Sequence, residues 1–267
     1  MARLAVLEAA ERAEYPLFVP FIMAGDPNVE TTIALALKLQ ETGAHILELG
    51  IPYSDPLADG PVLQRSAKRA IDGGMSLSRA LSIVPEMRRS GLTIPVIIFT
   101  YYNPVMRMGE EIFLNKVKEN EADGILIPDL PFEESTELSR AAKCKELANI
   151  SLVAPTSAGR IEKIAKAAEG FLYCVSSLGV TGTRDSFPPE AYKFIETVKK
   201  HSDVPVAVGF GISNNEQVKK LEGACAGVIV GSAIMKKVEE KLEDLSKPDN
   251  KEALNDIKLF VSSIVSS

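Results

Sequence analysis

The chain has 267 residues, 46% of them hydrophobic and 25% charged, with 18 Gly and 16 Pro. This globular composition excludes a collagen, a coiled coil or a disordered chain and leaves room for one large domain or two small ones. Thirty Lys and Arg against 36 Asp and Glu give a net charge of -6, the wrong sign for a phosphate-backbone binder. No apolar run approaches the roughly 18 residues that cross a bilayer, and the opening MARLAVLEAAERAE is acidic without a cleavable apolar segment, so a cytoplasmic protein is expected.

Short apolar runs recur along the chain, each followed by turn residues and a helical pattern, the signature of repeated βα units. They are Leu17 to Met23, His45 to Leu49, Pro95 to Thr100, Gly124 to Ile127, Ile150 to Val153, Phe171 to Val175, Pro205 to Val208 and Gly227 to Val230, eight in all. After the first run, Asn28 is placed to cap a helix whose apolar positions Val29, Ile33, Ala36 and Leu37 share a face, and Gly43 to end it in the left-handed conformation. The second and third runs start 50 residues apart, which needs a loop and two helical segments. Pro61 suits the first turn of one segment, and Ser76 caps another running to Gly91. Ser246 to Lys251 reads as a turn, after which Leu254, Ile257, Val261 and Ile264 repeat at helical spacing.

Eight βα units without a Ser- or Gly-rich linker predict a single (β/α)8 TIM barrel over residues 1–267, with an extra N-terminal helix and additional helices. An open doubly wound sheet would carry G-x-G-x-x-G after its first strand, where this chain has Ala24-Gly25-Asp26-Pro27. A barrel places function in the loops at the C-terminal ends of its strands.

Two of those loops are built for an anion. Gly209-Phe210-Gly211-Ile212-Ser213 follows the seventh run, and Gly231-Ser232-Ala233 opens a helix after the eighth. Glycine lets backbone N–H groups approach phosphate oxygens, the helix N-terminus favours negative charge and Ser232 adds a hydroxyl. Gly182, after the sixth run, would complete the ring. Tight barrel turns would use the same glycines, but two such loops in adjacent units favour phosphate.

The second run, His45-Ile46-Leu47-Glu48-Leu49, carries one acid among aliphatics. Strand alternation puts Ile46, Glu48 and Gly50 on one face and His45, Leu47 and Leu49 on the other. If the Glu48 face points into the barrel, desolvation raises its pKa from about 4.3 toward the 6 to 7 useful for proton transfer. The loop that follows, Ile51 to Pro61, holds Asp55, Asp59 and three prolines, which restrict it and would set Asp59 opposite Glu48. Both aspartates are also ordinary turn residues.

Competing chemistries find little support. None of the eight runs contains a lysine for a Schiff base. Cys144, Cys174 and Cys225 are scattered without C-x-x-C spacing and read as reduced and structural. The only histidines are His45, facing away from Glu48, and His201 in a helix-to-strand connection, so acid–base chemistry without metal is expected.

The strings Phe18-Val19-Pro20-Phe21, Ala24-Gly25-Asp26-Pro27 and Glu48-Leu49-Gly50-Ile51-Pro52-Tyr53-Ser54-Asp55-Pro56-Leu57-Ala58-Asp59-Gly60-Pro61 closely resemble the tryptophan synthase alpha subunits. Val175 to Gly182, Gly209 to Ser213 and Gly231 to Ala233 extend the resemblance over almost the whole chain. It implies retro-aldol cleavage of indole-3-glycerol phosphate to indole and glyceraldehyde 3-phosphate, in L-tryptophan biosynthesis, with no cofactor in this chain. Glu48 matches the family's acid–base residue and Asp59 its second catalytic carboxylate, which would hydrogen-bond the indole N–H. Phe21, Phe99, Tyr173 and Phe210 fall at or near indole-pocket positions. Thr181 would bond Asp59 when the loop Gly179 to Pro189 closes, with Gly182, Gly211, Gly231 and Ser232 at the phosphate. The resemblance also implies a beta-subunit partner carrying pyridoxal phosphate in an alpha-beta-beta-alpha assembly, met through Pro52 to Asp55 and Asn103 to Met108. A stand-alone lyase releasing free indole and a non-catalytic phosphate-binding subunit are the alternatives.

Overall fold

Helix α1 (Ala2–Arg12) precedes the first strand, β1 (Leu17–Met23), and α2 (Val29–Glu41) then leads to β2 (Leu47–Gly50). The coordinates are a computed structural model describing residues 2–175 and 187–266. Two helices, α3 (Pro61–Asp72) and α4 (Leu77–Arg89), fill the long gap before β3 (Val96–Phe99), as its length requires. Then come α5 (Tyr102–Met108), α6 (Glu110–Glu119), β4 (Gly124–Leu126), α7 (Thr136–Cys144), β5 (Ala148–Asn149), β6 (Ser151–Val153), α8 (Ile161–Ala167) and β7 (Leu172–Val175). The remaining elements are α9 (Pro189–His201), β8 (Val206–Gly209), α10 (Asn215–Leu221), β9 (Gly227–Val230), α11 (Ser232–Glu240), α12 (Leu242–Leu245) and α13 (Lys251–Val265).

All strand pairs are parallel, in the order β5-β4-β3-β2-β1-β9-β8-β7-β6. The two ends of that order are one stretch of chain. β5 pairs with β4 and β6 with β7, and only Ile150 separates them, its N–H donating to the Ile125 carbonyl at 2.9 Å. The strand starts earlier than the predicted fifth run, Ile150 to Val153: it spans Ala148 to Val153 as two short ladders, one to each neighbouring strand, that together close the barrel and give eight barrel strands as expected.

Strand alternation sends Leu17, Val19, Ile46, Ile97, Leu126, Ala148, Ile150, Phe171, Ala207 and Ile229 into one buried cluster, joined by Val6 and Ala10 of α1. These are the inward residues, and α1 closes the end of the barrel opposite the catalytic loops. A larger cluster fills the layer between strands and outer helices.

The local signals act as predicted with one correction. Asn28 accepts the Thr31 N–H at 2.7 Å, Ser76 accepts that of Arg79 and Gly43 takes φ +86°. The deeply buried face of α2, however, is Thr31, Thr32, Leu35, Ala36 and Leu39. Val29, Ile33 and Leu37 lie at its margin, because the two threonines turn inward: Thr32 Oγ1 donates to the Asn28 carbonyl and accepts the Gly25 N–H. Leu254, Ile257, Val261 and Ile264 are buried in α13. Cys174 and Cys225 are buried but Cys144 is exposed, and all three are free thiols. Among the described residues no helix is long and apolar enough to cross a membrane.

Candidate active site

Glu48 sits in the middle of β2, opposite Phe21 of β1 and Ile97 of β3. It shares the inward face with Ile46, as alternation predicts. Its exposure is 1%, and its Oε1 has no hydrogen-bond partner among the described residues. An ionised carboxylate there would leave water without compensation, so burial pushes its pKa up to about 8. Glu48 therefore holds its proton at neutral pH.

Asp59 reaches the same region from the loop that runs into α3. Gly60 caps that helix and Pro61 occupies its first turn. The Asp59 N–H donates to the Pro56 carbonyl at 3.0 Å, and Gln64 Nε2 donates to the Asp59 carbonyl at 2.8 Å. Burial raises the carboxyl to about 6, against the lowering effect of a hydrogen bond from Tyr101. Tyr101 also accepts the Ala58 N–H at 3.0 Å. Its hydroxyl is pushed above its ordinary value by burial first and then by Asp59. Tyr101 is the site residue missing from the sequence-based set. It lies two residues past Phe99, beyond the C-terminal end of β3, and its place at the site comes from meeting Ala58 and Asp59.

Tyr173 faces inward on β7, beside Ala207 of β8. Burial raises its hydroxyl well above its usual value, and Glu48 and then Asp59 add to the effect. Phe21 and Phe99 meet edge to face, with centroids 5.4 Å apart. Gly50 leaves room for that arrangement, because a β-carbon there would lie 2.3 Å from the Phe21 ring. Phe210 is buried but packs on Phe187, centroids 6.0 Å apart, and makes no ring contact with the other three.

The glycine loops lie at the same end. Gly211, past β8, takes φ +74°, a backbone conformation suited to glycine. Gly231 precedes α11, whose first residue is Ser232, and a β-carbon on Gly231 would stand 3.2 Å from Phe21 Cβ. The start of α11 therefore borders the aromatic pair. Thr181 and Gly182, and the loop Gly179 to Pro189 up to residue 186, lie outside the described residues. His45 lies at the opposite end, where its Nδ1 accepts the Phe18 N–H at 3.1 Å.

The two expected partner segments form one surface, with Asn103 Nδ2 donating to the Tyr53 hydroxyl at 2.7 Å. Met106, within the second segment, is 60% exposed, and Leu57, just past the first, is 91% exposed.

The sequence model of the family "tryptophan synthase alpha chain" matches residues 7–262. The chain belongs to this family. A tryptophan synthase alpha chain of Halalkalibacterium halodurans is 58% identical over 262 residues, 98% of this chain and 99% of that one. Tryptophan synthase subunit alpha of Legionella pneumophila superposes with a TM-score of 0.86 at 34% identity, covering 98% of this chain and 96% of that one. A chain from the tryptophan synthase α2β2 complex of Pyrococcus furiosus, a hyperthermophile, gives 0.84 at 37% identity over 94% of this chain and 98% of that one.

Proposed function

We propose that this chain cleaves indole-3-glycerol phosphate to indole and glyceraldehyde 3-phosphate, the alpha reaction of tryptophan synthase, with Glu48 and Asp59 in different roles. A carbon–carbon bond to indole breaks when ring carbon C3 is protonated and the neighbouring hydroxyl loses its proton. The bonding pair then returns to the ring, and the hydroxyl carbon becomes an aldehyde. Glu48, neutral at pH 7, gives its proton to C3, and the carboxylate so formed takes the hydroxyl proton. Asp59, ionised at pH 7, accepts a hydrogen bond from the indole N–H, where positive charge develops. Tyr101 holds Asp59 through its hydrogen bond.

Phe21, Phe99 and Tyr173 offer flat apolar contact to the indole, with Phe210 behind them. Gly211, Gly231 and Ser232 receive the phosphate on backbone N–H groups and the α11 terminus, together with Thr181 and Gly182. Thr181 would also bond Asp59 as the loop Gly179 to Pro189 closes over the substrate. The observation that carries the reading is the buried, unpartnered Oε1 of Glu48 on the inward face of β2.

The partner in this reading is a tryptophan synthase beta subunit, seated on Pro52 to Asp55 and Asn103 to Met108 in an α2β2 assembly like that of Pyrococcus furiosus. The exposed Leu57 and Met106 favour it over a lyase that works alone. Pyridoxal phosphate belongs to that partner, and the cleavage needs no cofactor in this chain. The test is indole release from indole-3-glycerol phosphate, with and without beta subunit. Release is expected to rise when the partner is added and to be lost almost completely in Glu48→Gln and Asp59→Asn. Undiminished release by either folded variant would contradict the assignment.

A further inference from the structure

Helix α3 is the extra helix between β2 and β3, outside the one-helix-per-strand repeat, and Asp59 lies two residues before its start. Its buried side chains are Leu63, Ser66, Ala67 and Ala70, a narrow apolar strip with one large aliphatic group. So little apolar area fixes a helix weakly along its own surface. Polar ties supply the missing restraint. Asp26, in the loop after β1, has a fully buried side chain that accepts Ser66 Oγ at 2.5 Å and both Nε and Nη2 of Arg69 at 2.8 Å. The remaining arm of Arg69, Nη1, donates to Glu239 of α11 at 2.7 Å, and Arg65 grips the same carboxylate at 2.8 and 2.7 Å.

One guanidinium thus joins three elements: the loop after β1, the helix that follows Asp59 and, at its last turn, the helix that starts at Ser232. The planar fork fixes direction as well as distance, which a lysine cannot do. We infer that Arg69 is a positioning residue for Asp59, holding α3 against Asp26 and Glu239 so that the Asp59 carboxylate is presented to the substrate. This inference rests on the proposed role of Asp59 and extends it. Arg69 touches no substrate in this account and acts through the helix.

The experiment is a double-mutant cycle on the chain assembled with its beta subunit, reading kcat and KM for indole release. Arg69→Leu is expected to lower kcat at least tenfold while KM stays within threefold, with Arg69→Lys intermediate. In an Asp59→Asn background, Arg69→Leu is expected to change kcat less than twofold, because the group it positions is already disabled. A kcat for Arg69→Leu within twofold of the parent overturns the inference. So does an equal loss in both backgrounds, which is the mark of general structural damage. If Arg69→Leu does not fold, Arg69→Lys runs the same cycle with the same criteria at the size of its own effect: a kcat equal to the parent's, or equal losses in both backgrounds, overturns the inference. An Asp59→Asn enzyme as fast as its parent overturns the role of Asp59 itself, and this inference with it. A slow Asp59→Asn with additive Arg69 effects overturns this inference alone.

Discussion

The Tyr173 ring lies across Gly209 so closely that a β-carbon on residue 209 would stand 2.5 Å from both Cε2 and the hydroxyl oxygen. Glycine at the end of β8 therefore makes room for the tyrosine on which both Glu48 and Asp59 act, in addition to any part it plays at the phosphate. Gly209→Ala must displace the Tyr173 ring. The expected result is a fall in kcat of at least tenfold with a stability loss of about 1–3 kcal/mol, typical of overpacking. Steady-state indole release and urea unfolding measure the two effects. Unchanged kcat in the alanine variant would show that the hydroxyl position does not matter.

The two carboxyl groups should appear in the pH dependence as opposite limbs. Asp59, at about 6, must be ionised, so activity rises as pH passes that value. Glu48, at about 8, must be protonated, so activity falls above it. A bell with its maximum near pH 7 is expected for kcat/KM. The substrate phosphate also titrates near pH 6, which makes the alkaline limb the diagnostic one. Infrared difference spectra of the parent against Glu48→Gln should show a protonated carboxyl band at pH 7 that fades above pH 8. A band already absent at pH 6 would contradict the assignment.

The same burial makes Glu48 a source of instability. Its folded pKa of about 8 lies above its unfolded value of 4.5. Between those values the folded chain holds a proton that the unfolded chain has released, so stability falls as pH rises through this window and levels off above it. Glu48→Gln removes the titration while keeping the shape. It should unfold at higher denaturant than the parent at pH 8, by a few kcal/mol, with the advantage shrinking toward zero near pH 4.5. Urea midpoints at pH 5, 7 and 8 test this. An equal gain at all three values would point to packing instead of charge.

How far the sequence could be read depended on the range of the interaction concerned. Alternation within one strand was enough to turn Glu48 inward with Ile46, and turn chemistry at Asn28, Gly43, Pro61 and Ser76 marked helix ends, because both are local. The inward turn of Thr31 and Thr32 was not legible, since it depends on bonds to Gly25 and to the Leu245 carbonyl, the latter 214 residues away. The break at Ile150 is not legible either, because two neighbouring strands, at different registers, decide it. The part played by Tyr101 is illegible in the sequence for a similar reason. Its significance comes from meeting Ala58 and Asp59, more than 40 residues earlier, and no period in the sequence records that meeting.

Tyr101 therefore offers a further test of the site. Its hydroxyl accepts the Ala58 N–H and hydrogen-bonds Asp59, which lowers the carboxyl against the upward pull of burial. Its ring packs on Tyr53, centroids 5.2 Å apart, and phenylalanine would keep that contact. In Tyr101→Phe the Asp59 pKa is expected to rise above about 6, moving the acid limb of activity to higher pH while the Glu48 limb stays in place. The bell narrows and its top falls by less than about twofold in kcat while the acid limb stays a full pH unit below the Glu48 limb, because only slightly fewer molecules then combine ionised Asp59 with protonated Glu48. Ala58 is exposed, so water can take over its N–H and the loss of stability should stay below about 1 kcal/mol. The substrate phosphate is the same for both enzymes, so any displacement of the acid limb belongs to the protein. An acid limb that coincides with the parent's would mean that the Tyr101 hydroxyl does not hold the Asp59 charge.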